Sequence, residues 1–151
     1  MLEMARQLDP GCDFRQGNNP VSFPAGQADL IYSNLVLQHQ PSCAHAALLI
    51  TDMLRVLAPG GLLVFQMPLY MPWRNRLQLR RRAYRLLRTI GLHHSFAYER
   101  LKLNPIRMVS LSQVEVEGIV KAANGLTVRV DHLTKFAGPF VSGIYYVTKK
   151  A

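Results

Sequence analysis

Apolar positions along this chain change period several times, and each change marks an element. Ala46, Leu49, Ile50, Met53, Leu54 and Leu57 recur at intervals of three and four, which lines one face of a helix. Ser42 is the side chain that would cap its start, and Pro59-Gly60-Gly61 closes it, since proline cannot continue a helix and glycine takes the left-handed turn. On either side lie short unbroken apolar runs, 28–33 and 62–67, of the kind buried in parallel sheets. Strand, helix and strand at that spacing predict a βαβ unit with a right-handed crossover.

Downstream, Ser112 and Glu115 have the spacing of a capping box, opening a helix that stops at Gly125. Residues 126–130 and 143–148 then read as two strands, the second rich in β-branched and aromatic side chains. Upstream, residues 1–8 have the composition of the middle of an amphipathic helix, without a capping residue before them. Asp9-Pro10-Gly11 is a turn signal, 12–16 a short strand, Gly17-Asn18-Asn19-Pro20 a loop, and Phe23-Pro24-Ala25-Gly26 a second turn.

Residues 73–90 follow a different pattern. At about 100° per residue, Arg74, Arg81, Arg85 and Arg88 share one sector, while Trp73, Leu77, Ala83, Tyr84, Leu87 and Ile90 fall opposite. Arg76 and Arg80 intrude on the apolar side, where their stems can snorkel and their heads reach an anion. Seven arginines lie between Arg74 and Arg88, so the net charge of +9 is concentrated in one segment. Three readings stay open there: a solvated basic face, an interfacial helix on anionic lipid, and a grip for an acidic or phosphorylated substrate. RNA has only Trp73 and Tyr84 as local stacking partners and is the weaker fit.

The 151 residues, 49% of them hydrophobic, suffice for one ordinary domain. No apolar run reaches the about 18 residues that span a bilayer, and no secretion signal opens the chain, so a cytoplasmic location is expected. Cys12 and Cys43 stand far apart without histidines at zinc spacing, and adjacent His93 and His94 would diverge on a helix, so no metal is expected.

The words ADLIYSNLVLQH (28–39) and RVLAPGGLLVF (55–65), in that order and spacing, resemble the fourth and fifth strands of class I S-adenosyl-L-methionine-dependent methyltransferases, of the type 11 kind, with the helix between them. Met1-Leu2 with Ala5-Arg6 resembles the helix after that family's second strand, and Phe23-Pro24 its approach to the fourth. The resemblance covers nearly the whole chain. It implies an α/β fold: a Rossmann-like three-layer sandwich with a mostly parallel sheet, lacking its first two strands and ending in an antiparallel strand pair. One partial methyltransferase domain over 1–151 is expected, with a basic helical insertion at about 72–105.

The family's glycine-rich loop and ribose-binding acid would precede Met1, and no G-x-G-x-G occurs in these residues. Met1 therefore reads as an internal methionine of a longer product. The expected consequences are poor cofactor binding by this chain alone and an exposed edge on the strand around Leu30-Ile31-Tyr32.

The resemblance places Asn18 and Asn19 where the family touches the adenine, although Gly-Asn-Asn-Pro is equally a plain turn. It places Ser33 and Asn34 at the carboxyl end of the fourth strand, where ligands of open α/β sheets gather. The alternative there is that both side chains merely satisfy the strand's free backbone groups. His39 falls near where donor and acceptor meet in similar enzymes and can take a proton from an acceptor, or it is a loop residue before Gln40-Pro41. Arg76 and Arg80 are the candidates for an acidic, lipid-like or membrane-borne substrate. The implied function is methyl transfer from S-adenosyl-L-methionine to a small-molecule acceptor. The competing reading is a non-catalytic or partner-dependent interaction module with a basic lipid- or RNA-binding surface.

Overall fold

The computed structural model describes residues 2–14, 23–72, 75, 77–103, 106–133 and 141–150. Within them, helix α1 (Leu2–Leu8) is followed by strand β1 (Ala28–Ser33), a 3-10 turn (Leu37–His39), helix α2 (Cys43–Val56) and strand β2 (Leu57–Tyr70). Helix α3 (Leu79–Thr89), a π-helical turn (Phe96–Arg100), helix α4 (Gln113–Ala122), and strands β3 (Gly125–Leu133) and β4 (Val141–Lys149) complete the order.

The strands lie in the order β1-β2-β4-β3. β1 and β2 are parallel across the helix between them, as the βαβ pattern predicts, and β4 runs antiparallel to both β2 and β3. Three of the four strands therefore point the same way and β4 alone is reversed. This is the Rossmann-like α/β fold expected, with its terminal antiparallel pair; the described sheet is mixed, with one parallel ladder and two antiparallel ones.

Alternation along the strands sorts two faces. Leu63, Phe65, Met67, Tyr145 and Val147 form the core with Ala46, Ile50, Leu54, Val116 and Val120, and half-buried Ile31 packs against it. The opposite face of β1 carries Leu30 and Tyr32, which remain 63% and 69% exposed. β1 has no strand on its outer edge among the described residues.

Several boundaries differ from the sequence reading. α2 stops at Val56, before Pro59-Gly60-Gly61, because the residue preceding a proline is driven out of the helical region and the proline ring would strike the carbonyl four residues back. Lys149 Nζ reaches the helix end instead, donating to the carbonyls of Arg55 at 3.3 Å and Leu57 at 3.0 Å. Leu57 already pairs with Ala28, while Leu62 pairs with Leu30, so the Pro-Gly-Gly stretch is looped out of β2 as a bulge. Gly60 takes φ +76°, and a Cβ on Gly61 would lie 3.0 Å from the carbonyl oxygens of both Ala58 and Asp29.

α4 begins with the expected capping box: Ser112 N donates to Glu115 Oε2 at 2.7 Å, and Glu115 N donates back to Ser112 Oγ at 3.4 Å. It ends at Ala122, and the left-handed position after its cap is taken by Asn124 at φ 59° rather than by Gly125. Asparagine tolerates the left-handed conformation, which leaves Gly125 free to open β3. The strand expected over 12–16 is not formed at Cys12, Asp13 or Phe14, where Asp9 instead folds the turn back on itself by accepting from Gly11 N. Residues 15 and 16 lie outside the described set.

Candidate active site

β1 ends at Ser33, whose register partner is Phe65 in the middle of β2. The chain leaves through Asn34 and then Leu35, which holds φ 60° without being glycine, a costly conformation that surrounding structure must enforce. Asn34 is exposed and Ser33 half-buried. No hydrogen bond is made by either side chain among the described residues. Satisfying the strand's own backbone is thus not what occupies them, and both present free donors and acceptors at the carboxyl end of a parallel strand, where such folds take ligands.

The 3-10 turn that follows carries His39 and fixes it. A carbonyl can only accept, so His39 Nδ1–H donates to the carbonyl of Arg107 at 3.0 Å, and Nε2 then accepts from the Gln38 amide at 3.1 Å. Both ring nitrogens are therefore engaged. To act as a base on an acceptor, His39 would first have to lose the Gln38 amide.

The partner of this turn is an extended segment, 106–111, and the two are laced together. Val109 N donates to the Gln38 carbonyl at 2.8 Å, the Arg107 guanidinium donates to the Pro41 carbonyl, and Leu111 N reaches the Pro68 carbonyl on β2 at 3.1 Å. On its other side the segment meets the start of α3: Gln78 Nε2 donates to the Met108 carbonyl at 3.1 Å, and its Oε1 accepts from Arg81 at 3.2 Å. Residues far apart in sequence, around 38, 78 and 108, thus form one clasp beyond the ends of β1 and β2.

The clasp is cationic. Arg81 has its pKa lowered, chiefly by burial and then by the neighbouring charges of Arg107 and Arg85. No carboxylate is ion-paired with any of these three among the described residues. Arg80 stands exposed on α3 outside the clasp. Asn18, Asn19 and Arg76 lie outside the described residues. Gln38, Gln78 and Arg107 escaped the sequence reading because their roles arise from long-range backbone contacts that leave no local signal.

A separate concavity lies elsewhere. It is an open groove of 530 Å³ between α4 and β3, lined by Glu117, Lys121, Arg129 and His132 among others. None of the candidate residues borders it. Its openness and mixed charges weigh less than the strand-end position for a fold of this kind, so the candidate site is kept at the end of β1. Among the described residues no group of His, Cys, Asp or Glu is placed to hold a metal ion.

A parallel βαβ pair with a reversed strand beside it is the arrangement of a Rossmann-like domain. The chain belongs to the methyltransferase domain family, whose model matches residues 4–104. It is 44% identical over 68 residues to a trans-aconitate 2-methyltransferase of Azoarcus sp. (strain BH72), covering 45% of this chain and 26% of that enzyme. The matched stretch is thus about a quarter of the relative's length.

Solved structures agree on the fold. A SAM-dependent methyltransferase of Methanosarcina mazei superposes with TM-score 0.57 at 18% identity, over 98% of this chain and 75% of that one. The 1,6-didemethyltoxoflavin-N1-methyltransferase of Burkholderia thailandensis, solved with S-adenosylhomocysteine, superposes with TM-score 0.61 at 12% identity, over 99% and 56%. The cofactor of the family is S-adenosyl-L-methionine. Ser33 and Asn34 have the chemistry to hold one side of it, whereas no G-x-G-x-G loop occurs in these 151 residues to hold the other.

Proposed function

We propose that this chain is the acceptor-side part of an S-adenosyl-L-methionine-dependent methyltransferase acting on a small acceptor that carries carboxylates. The observation that carries this reading is the cationic clasp of Arg81 and Arg107, beyond the strand end that bears Ser33 and Asn34. S-adenosyl-L-methionine brings an already activated methyl group, so the protein's task is alignment of donor and acceptor. Ser33 and Asn34 hydrogen-bond the cofactor in this reading. The arginines orient an acidic acceptor, and the name of the Azoarcus relative supports that acceptor chemistry. His39 positions the turn through Arg107 rather than taking a proton.

The test is methyl transfer from labelled S-adenosyl-L-methionine to a panel of small di- and tricarboxylic acids and their neutral esters. The reading expects acids to be methylated and Arg107→Met to raise KM about tenfold or more, as loss of a charge-assisted contact would. Methylation of the esters in preference to the acids would overturn it. Separately, calorimetry with S-adenosylhomocysteine should show weak binding by the 151-residue chain, weakened further in Asn34→Ala; tight binding would contradict an incomplete pocket.

A partner-dependent module is the second reading, favoured by the bare edge and the exposed Leu30 and Tyr32 of β1. It expects no transfer to any acceptor until a second polypeptide is added.

A further inference from the structure

α3 contributes no buried residue, although it is an eleven-residue helix well supplied with leucine. Its half-buried positions are Arg81, Ala83, Tyr84 and Leu87. They lie on the side turned to the protein, where Arg81 meets Gln78 at 3.2 Å and the Tyr84 hydroxyl meets His94 Nδ1 at 2.6 Å. The side turned outward holds Leu79, Leu86 and Ile90, exposed by 58%, 64% and 71%. At about 100° per residue these three fall within about 40° of one another, forming one ridge along the helix. Exposed Arg82 borders the ridge on one side, with exposed Arg85 beyond it, and half-buried Ala83 borders it on the other.

The surrounding charge has one sign. Residues 53–98 contain eight arginines and no aspartate or glutamate. Among the described residues no carboxylate is ion-paired with an arginine of α3. A soluble helix of this exposure normally interleaves both signs, and an outward apolar ridge of this length is not explained by solvation. Arginine alone would suit any polyanion, and the ridge alone any apolar partner. Together, an apolar stripe edged by arginines whose stems can snorkel matches the boundary between lipid phosphates and acyl chains.

We propose that α3 is an interfacial helix that docks this domain on an anionic lipid bilayer. Leu79, Leu86 and Ile90 enter the acyl boundary, and Arg82 and Arg85 meet the lipid phosphates. Nucleic acid fits less well, because α3 offers no free aromatic face: Tyr84 is half-buried against His94, and Tyr98 in the next turn already stacks on that same ring. The apolar ridge that carries the proposal lies outside the clasp, and of the clasp's charges only Arg85 is shared with it.

The 151-residue chain should co-sediment at low salt with phosphatidylcholine vesicles containing about 30% phosphatidylserine, and not with phosphatidylcholine alone. Trp73, the chain's one tryptophan, gives a parallel fluorescence reading. Raising salt to about 0.5 M should weaken binding more than tenfold. The variant R82Q/R85Q should bind about 30-fold more weakly, at about fivefold for each arginine. L86E/I90E changes only exposed positions, so it should keep the wild-type melting temperature and lose binding at least tenfold. Binding to both vesicle types alike, no binding to the anionic ones, or wild-type binding by L86E/I90E would each overturn the proposal. A single-stranded RNA oligonucleotide that binds more tightly than the vesicles and displaces them would assign the surface to nucleic acid instead.

Discussion

The phenol ring of Tyr145 lies on the ring of Phe65, with centroids 5.0 Å apart and planes 7° from parallel. The two residues are register partners on β4 and β2, and the offset stack fills the centre of the core. The Tyr145 hydroxyl is buried and has no hydrogen-bond partner among the described residues.

Tyr145→Phe keeps the stack and removes that unpaired group, so it should raise stability by about 1 kcal/mol. Burial, and next the charge of Glu117, also push the phenol's pKa upward. A group raised in the folded state contributes fully below its unfolded pKa, about 10, and loses that contribution as pH rises toward the folded value. Wild type should therefore lose more stability than Tyr145→Phe between pH 7 and about 10.5, measured by urea unfolding at both.

The capping box at Ser112 satisfies two backbone donors at the start of α4. Ser112→Ala removes the cap and should lower stability by about 1 kcal/mol, and Ser112→Asp should restore most of it. A thermal melt series decides this; equal melting temperatures for all three would show that the box is idle.

Gly125 is held by contact and not by dihedral angle. A Cβ there would lie 2.8 Å from Val120 Cγ1 and 3.0 Å from the Val120 carbonyl oxygen. Gly125→Ala should destabilise by about 1–3 kcal/mol through overpacking. Val120→Ala in the same chain should rescue only part of this, because the backbone contact persists. Denaturant midpoints of the single and double variants test the coupling.

His39 is expected to hold the turn at 37–39 onto the 106–111 segment. His39→Ala should speed amide hydrogen exchange at Val109 by about fivefold, as loss of about 1 kcal/mol of local stability would. Exchange at Val116, inside α4, should not change. Unaltered exchange at Val109 would show that the clasp stands without the imidazole.

The sequence made the sheet legible wherever local chemistry decides the outcome. Ser42 caps α2 and accepts from His45 N, Ser112 and Glu115 open α4, and the unbroken apolar run over 62–67 marked a buried strand. What it misplaced were stops. Pro59-Gly60-Gly61 looked like a helix terminator, but the helix yields three residues earlier and the glycines serve a bulge against β1. Gly125 looked like a left-handed cap, yet Asn124 takes that position and the glycine is spent on close packing.

At the candidate site, Ser33 and Asn34 could be placed from the strand that ends there. The clasp could not. Its bonds join main-chain groups of the segment around 108 to side chains near 38 and 78, and main-chain groups have no sequence signature. The exposure of the apolar ridge on α3 was equally hidden, because periodicity shows that a helix has two faces and not which one the protein covers.

The reversed strand also sets an order of assembly. β4 is the last of the four strands to leave the ribosome, yet it lies between β2 and β3 and contributes Tyr145 and Val147 to the core. Until it arrives, β2 and β3 have no ladder to share, and α2 and α4 lack half the floor on which they pack. Such distant pairing slows folding and prolongs the life of open strand edges. A nascent chain of this domain therefore cannot close the β2-β4-β3 ladders until β4 has been made.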